Sequence, residues 1–331
     1  MALRPVSVEE LLISWERDER TPRLAANRYS VGVRRCCLAD RSTGDRDAPT
    51  LRSIEMTTPD VHAKQIVERG YAVFPSLLSA ACISSLRSAA QGKRVSGAMY
   101  VMGADLLVTH PEIILPLVTS AAVLDTLEQI VGPFVQLDNV LLMGIAVDCP
   151  ADICWHRDPY GSVPAGPDFQ RPMSLNLLVY LQDLTDSAGP LRVIPGSHRC
   201  PLLMTEKEHQ LPHAREQMIH ARAGDGVLIH NNLVHSRSRN KSRSDRIYLS
   251  IVYSLTCMRP AMDPDAPGLK AIADEIRNTG NPRLMRLFGD DRSAAQRYNC
   301  GFMSDEADLW RAWIAEEREL LASAAALARR P

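Results

Sequence analysis

Residues 154–161 read CWHRDPYG, which sets a histidine and an aspartate two positions apart between a tryptophan and a Pro-Tyr-Gly turn. On an extended strand, residues i and i+2 point to the same side. His156 and Asp158 therefore offer one imidazole nitrogen and one carboxylate oxygen to a common point. Further along, GDGVLIHNNLVHSRSRNKSRSDRIYLSIVY carries two histidines close to a strand end, His230 and His235. Two imidazoles and one carboxylate on one face of a metal leave the remaining positions open, the arrangement that lets ferrous iron take a co-substrate and dioxygen together. The second imidazole must come from a distant strand if all three donors are to converge. His235 is the preferred donor. His230 competes with it, but closes the apolar run VLIH and reads as a strand-end residue.

An arginine follows in the same segment. Arg246 heads the strand RIYLSIVYSL, in which Arg246, Tyr248 and Ser250 share one face and Ile247, Leu249 and Ile251 the other. A guanidinium on an inward face is costly unless it meets an anion, and a bidentate clamp on a carboxylate would satisfy it. An exposed arginine in an Arg-rich loop fits the local sequence equally well.

The elements that would position these residues can be read in outline. TPDVHAKQIVERG has the pattern of an N-capped helix closed by Gly70. YAVFP is a short strand, SAACISSLRSAAQ a second helix, and PEIILPLVTSAAVLDTLEQIVG one further helix ended by Gly132. The character then changes. FVQLDNVLLMGIAV, SLNLLVYLQDL, LRVIP, GVLIH and RIYLSIVYSL are short apolar runs separated by Gly, Pro, Asp and Ser turns. Helices followed by spaced strands predict a mainly β fold with flanking helices, a sandwich or jelly roll. DLWRAWIAEERELLASAAALARR predicts a C-terminal amphipathic helix. Residues 1–56 are expected to form an N-terminal extension, either partly disordered or packed on the core, with a helical start at VEELLISWERDER; residues 57–331 are expected to form the single main domain.

Composition narrows the possibilities. The 331 residues are 45% hydrophobic, enough for a sizeable core, and with a formal net charge of -1 nothing in the overall electrostatics argues for nucleic acid or an acidic membrane surface. No run of about 18 apolar residues stands out as a membrane span. The N-terminus lacks a secretory core, so a cytoplasmic setting is expected. The eight cysteines form no CxxC pair, as expected for free thiols.

In this order CWHRDPYG, LNLLVYLQDLTDSAGPLRVIPGSH and GDGVLIHNNLVHSRSRNKSRSDR resemble the phytanoyl-CoA dioxygenase family, from about Thr58 to Tyr253. That resemblance implies a double-stranded β-helix (jelly-roll, cupin-like) core and an Fe(II)- and 2-oxoglutarate-dependent oxygenase, with O2 as oxidant and ascorbate as reductant. It implies His156, Asp158 and His235 as iron ligands and Arg246 as the holder of the distal carboxylate of 2-oxoglutarate. Asn240 and Ser242 fall on the family's loop pattern before that arginine. Two departures stand out. Where the family often has a co-substrate-binding serine, two residues past the distal histidine, this chain has Arg237; Ser236 and Ser238 flank it, and Ser238 is the hydroxyl candidate. Where the family often has a lysine or amide on the preceding strand, the candidates are Gln136 and Asn139, with Met143 nearer the motif. Arg237 either alters the co-substrate contacts or points to substrate.

For the substrate pocket the candidates are Trp155 and Tyr160, which flank the metal motif, and Asn176 and Tyr180, which share one face of LNLLVYL. Each has an ordinary alternative, core aromatic for the first two and solvent face for the others. His198 in the PGSH turn reads as a loop hydrogen-bonder, and His209, His213 and His220 as members of a solvated loop. The implied reaction oxidises, most simply hydroxylates, an unactivated C–H of a small molecule, with release of succinate and CO2. The carboxylate of Asp158 argues against halogenation, which needs that coordination position for chloride. A zinc hydrolase or isomerase on the same ligands, or a non-catalytic jelly-roll binding protein, are the rival readings; the first has no use for Arg246. Loops 162–171 and 200–222 and the segment after Pro260 are expected to set specificity. Oligomeric state is not legible.

Overall fold

The computed structural model describes residues 58–91, 99–103, 105–147, 154–291 and 306–328. The extension 1–56 and its expected helical start lie outside the described residues. Among the described cysteines, Cys82, Cys154, Cys200 and Cys257 are free.

The chain enters through helix α1 (Thr58–Arg69), which stops at Gly70 in a left-handed conformation with φ +89°. A Cβ there would lie 2.7 Å from both His198 Nδ1 and Leu233 Cδ1, so a side chain is excluded on two counts. Strand β1 (Tyr71–Phe74) follows, then α2 (Ala80–Ala90), whose N-cap Ser79 accepts a hydrogen bond from the Cys82 amide. Next come β2 (Met99–Gly103) and the short α3 (Leu106–Thr109).

The helix expected over 111–131 is two helices, α4 (Pro111–Val118) and α5 (Ala121–Val131), ended by Gly132 at φ +66°. Thr119 and Ser120 interrupt it, and the Thr119 hydroxyl turns back onto Leu115 O at 2.7 Å. By length and composition Pro111–Val131 passes as a membrane span, yet 56% of that stretch is buried inside the protein. Ile114, Val118, Val123 and Leu127 are all fully buried in the main apolar cluster. A packed core helix meets the same compositional test as a bilayer span, and the break makes this a bent core element.

Strands β3 (Val135–Ile145), β4 (Ser174–Tyr180), β5 (Leu191–Val193), β6 (Gln217–Ile219), β7 (Gly226–His230), β8 (His235–Arg237) and β9 (Arg246–Leu255) complete the β part. They form two antiparallel sheets, a six-stranded one in the order β1-β7-β4-β9-β3-β2 and a three-stranded one in the order β6-β5-β8. Helices α6 (Pro267–Asn278), α7 (Pro282–Leu287) and α8 (Glu306–Ala328) close the chain. The antiparallel sheets and flanking helices agree with the expected fold class.

Alternation along β9 divides the core. Ile247, Leu249, Ile251 and Tyr253 are all buried, against the helices. Arg246 is buried as well, but Tyr248, Ser250 and Val252 on the opposite face keep partial exposure. That face looks toward the small sheet, where Tyr71, Leu178, Tyr180, Leu191, Val193 and Ile229 form a second apolar cluster against which Tyr248 packs. The gap between the sheets is thus filled with side chains in part and left accessible beside Ser250. A bulge between Leu137 and Asn139 changes the parity of β3, bringing Gln136 and Asn139 onto this inner face, opposite Ser254 and Val252.

At the far end, buried Arg286 bridges Glu128 of α5 and Glu317 of α8, and Arg283 adds contacts to Asp125 and Glu128. This paired, low-exposure network fixes the helices behind the sheet.

Candidate metal centre

His156 and His235 face each other across an isolated antiparallel bridge, each amide donating to the other's carbonyl at 3.0 Å. The local chain earns this register: β8 pairs with β5 so that His235 stands opposite Val193, and Trp155 anchors the other partner. Trp155 is 1% exposed in a cluster with Ile194 and Val234, and its indole N–H donates to Leu211 O at 2.8 Å. Alternation therefore sends His156 the other way. Trp155 is a core aromatic that aims its neighbour, not a pocket wall.

The two imidazole rings lie 4.2 Å apart, centroid to centroid. His156 Nδ1 lies 2.9 Å from Cys154 O and His235 Nδ1 lies 3.0 Å from Leu233 O. A carbonyl can only accept, so each Nδ1 carries a proton and Nε2 is the nitrogen left to bind a metal. Asp158 Oδ1 is 3.6 Å from His235 Nε2. One donor atom from each of His156, Asp158 and His235 falls within 4.8 Å of the other two, the only such group of three among the described residues. Although the residue keeps an exposed edge, desolvation of its ring and the neighbouring His235 push the His156 imidazole down to about 4, with Asp158 opposing. The ring is thus neutral at physiological pH, the form a metal requires. Two imidazoles with Nδ1 tied to backbone and one carboxylate fit a divalent transition metal. His156 is exposed, Asp158 half-buried and His235 buried, so the centre opens on one side.

Asp158 is held from several directions. Its amide donates to Asn231 O at 3.0 Å, and the Asn176 side chain donates to Oδ2 at 3.2 Å. Ser250 Oγ in turn donates to Asn176 Oδ1 at 3.0 Å. Such outer partners orient a ligating carboxylate. The turn after it is equally constrained: Gly161 N donates to Asp158 O, and a Cβ on Gly161 would sit 2.7 Å from that oxygen and 2.8 Å from Asn231 O. Tyr160 takes a positive φ of 63° and is 52% exposed. It belongs to the rim of the turn rather than to an enclosed pocket.

Arg246 opens β9 opposite Ile145 and is 5% exposed. Burial raises the Tyr180 and Tyr248 hydroxyls above their ordinary range, and in both the nearby Arg246 charge opposes that shift; for Tyr248, Arg237 opposes it too and Asp158 adds to it. In the sequence, the alternation of β9 places Tyr248 on the Arg246 face but gives it no role. Asn240 secures the loop before Arg246, donating to Ser244 O at 2.9 Å and to Ile145 O at 3.3 Å while accepting from the Ser242 amide and hydroxyl. The loop motif thus ties Arg246 to the strand across from it.

Other candidates are not brought together with Arg246. Gln136 is buried and spends its amide on Ser254 Oγ, Leu255 O and Met258 O. It lies opposite Ser254, eight residues along β9 from Arg246, a separation of roughly 25 Å on an extended strand. Asn139 stands level with Asn176, one on each side of Val252, at the metal's end of the inner face. Ser238, just past the end of β8, ties its amide to Pro190 O. Ser236 turns away to accept from the Cys154 amide at 2.8 Å.

His230 uses both ring nitrogens elsewhere, Nε2 donating to Gln170 O and Nδ1 accepting from the Asn232 amide, each at 2.9 Å. It is no ligand. His198, buried in the PGSH turn, lies 3.0 Å by Nε2 from Val67 O and is the loop hydrogen-bonder expected. His220 pairs with Asp186 at an exposed site, and His209 Nδ1 lies 4.0 Å from Cys154 Sγ.

With this geometry in place, comparison with known proteins is informative. The sequence matches the phytanoyl-CoA dioxygenase (PhyH) family over residues 66–248. The chain belongs to the phytanoyl-CoA dioxygenase family. That span contains the three converging donors and Arg246. Among curated relatives, it is 28% identical over 138 residues to the iron/alpha-ketoglutarate-dependent dioxygenase ausU of Aspergillus calidoustus, covering 41% of this chain and 43% of that protein. It is 26% identical over 134 residues to L-proline trans-4-hydroxylase of Streptomyces griseoviridis, covering 32% of this chain and 50% of that protein. The matches thus span half or less of these relatives' lengths. Among solved structures, HygX from Streptomyces hygroscopicus, determined with nickel and 2-oxoglutarate bound, superposes with a TM-score of 0.51 at 17% identity, covering 62% of this chain and 91% of that one. At that identity the likeness speaks for a shared fold.

Proposed function

We propose that this PhyH-family protein is an Fe(II)- and 2-oxoglutarate-dependent dioxygenase that hydroxylates an unactivated C–H of a small molecule, its two sheets forming a double-stranded β-helix core. The observation that carries the reading is the convergence of His156, Asp158 and His235, with buried Arg246 on the same inner face. His156 and His235 would hold the metal through Nε2 and Asp158 through a carboxylate oxygen, while Arg246 would receive the distal carboxylate of 2-oxoglutarate. Iron bound there supplies the oxidising chemistry, in which O2 is consumed, 2-oxoglutarate becomes succinate and CO2, and one C–H becomes C–OH.

The chain's own part is geometric. The backbone carbonyls of Cys154 and Leu233 hold both imidazoles in the metal-binding tautomer. Asn176 orients the carboxylate. Tyr248, kept protonated by burial, can donate a hydrogen bond but carries no charge that would repel a dianion. Ser250 and Val252 keep partial exposure, so this face of β9 is open next to Asn176, where a co-substrate would lie. That two relatives are named for proline hydroxylation and for iron/α-ketoglutarate-dependent oxidation supports a small-molecule substrate.

The test is anaerobic. Fe(II) and 2-oxoglutarate added to the protein are expected to give the visible charge-transfer absorption of the chelate, and a substrate screen in air is expected to find succinate formation that depends on both. Asp158→Ala is expected to lose substrate oxidation by at least about 100-fold, since it removes a metal ligand. Full turnover without oxygen would point instead to the zinc hydrolase reading.

A further inference from the structure

We infer that Arg237 is a second cationic wall of the 2-oxoglutarate site, so that the co-substrate dianion is gripped by two arginines from opposite sheets rather than by Arg246 alone. The inference rests on the function proposed above and deepens it. Its basis is strand geometry. His235 and Arg237 lie two apart on β8, opposite Val193 and Leu191 of β5, so both side chains leave the same face of the small sheet. Ser236 between them leaves the other face, as its bond from the Cys154 amide shows. The face that carries His235 to the metal centre therefore carries Arg237 inward as well.

The direction of the chain supplies the second argument. It runs from His235 through Arg237 and the loop 238–245 into Arg246. Arg237 accordingly stands on the Arg246 side of the metal centre, the side on which a diacid reaching from metal to Arg246 must lie. Tyr248 follows Arg246 by two residues on the same face of β9. Against the upward push of burial on its hydroxyl, the charges of Arg246 and Arg237 both pull down, while Asp158 pushes up. Tyr180, packed 5.8 Å from Tyr248 ring to ring, senses Arg246. Two guanidinium groups on one compartment match the charge of a dicarboxylate, and such charge-assisted hydrogen bonds to carboxylate are the strong kind.

The experiment measures binding, not turnover. The full chain is loaded with Fe(II) without oxygen and titrated with 2-oxoglutarate, by the charge-transfer band and by calorimetry, for wild type, Arg237→Gln and Arg237→Lys. Loss of one charge-assisted bond is expected to raise the 2-oxoglutarate Kd about 10-fold to 100-fold in Arg237→Gln. Arg237→Lys, which keeps the charge but not the fork, is expected to fall between. The Fe(II) affinity and the thermal midpoint without 2-oxoglutarate are expected to stay near wild type. An Arg237→Gln protein that folds, binds iron and takes 2-oxoglutarate with wild-type affinity overturns the inference while leaving the proposed function standing. Lower thermal stability with unchanged Kd does the same and makes Arg237 a structural residue. Failure of wild type itself to bind 2-oxoglutarate overturns both.

Discussion

At the scale of single residues, the centre depends on groups that never meet the metal. Both histidines are set by carbonyls two residues earlier, at 2.9 Å and 3.0 Å, so the spacing that brings the side chains together also selects their tautomers. A substitution cannot remove a carbonyl, which makes Asn176 the practical handle. Its amide joins Asp158 to Ser250, and without it the carboxylate keeps only its backbone anchors. Asn176→Ala is expected to weaken Fe(II) binding about 10-fold to 100-fold, the usual cost of losing an outer-shell partner, with the fold intact by circular dichroism. Equilibrium metal titration of the variant reads this directly. Unchanged affinity would mean that the Asn231 carbonyl and the Gly161 turn position Asp158 by themselves.

At the scale of elements, the decisive join is the loop from β8 to β9. Asn240 binds Ser242, Ser244 and Ile145, and Ile145 is the residue opposite Arg246. Asn240→Ala removes a donor to the Ile145 and Ser244 carbonyls and loosens the strand start. It is expected to cost about 1–3 kcal/mol in urea denaturation and to weaken 2-oxoglutarate binding several-fold, while Fe(II) binding holds. Equal loss of metal and co-substrate binding would show that the loop supports the whole site rather than Arg246. What the sequence revealed at this scale follows from physical range. Long strands such as β3 and β9 announced themselves as apolar runs, β9 by alternation as well, and the ligands by local spacing. Three-residue strands such as β6 and β8 have no pattern long enough to read and exist through pairing with β5. The break at Thr119 depends on a hydroxyl turning onto a carbonyl, invisible in an apolar run. Whether Gln136 or Asn139 meets Arg246 depends on a bulge and a ten-residue register, which no local signal encodes.

At the scale of the whole molecule, the site is backed by a junction of buried histidines that makes the fold acid-sensitive. His198 and His230 rings lie 5.0 Å apart beneath Phe169. Around them are Arg157 and Arg199, the carbonyls of Val67 and Gln170 and the Asn232 amide. Arg157 also donates to Ser197 O and Asn232 O, tying the PGSH turn to the strand that leads to His235. Burial is the main cause that drives His198 down to about 4 and His230 down to about 3. Below the ordinary histidine value near 6.5 the unfolded chain takes up these protons and the folded chain refuses them, so stability is full above about 6.5 and falls as pH drops toward 4. Each group contributes a slope of at most about 1.4 kcal/mol per pH unit over that window. Urea denaturation at pH 7, 6 and 5 is therefore expected to show falling stability, and His198→Gln, which keeps a donor for Val67 O but cannot titrate, is expected to flatten the profile by about one proton's worth. A wild-type profile level from pH 7 to 5 would mean that the junction opens to admit the proton, and that the strand carrying His235 is held from elsewhere.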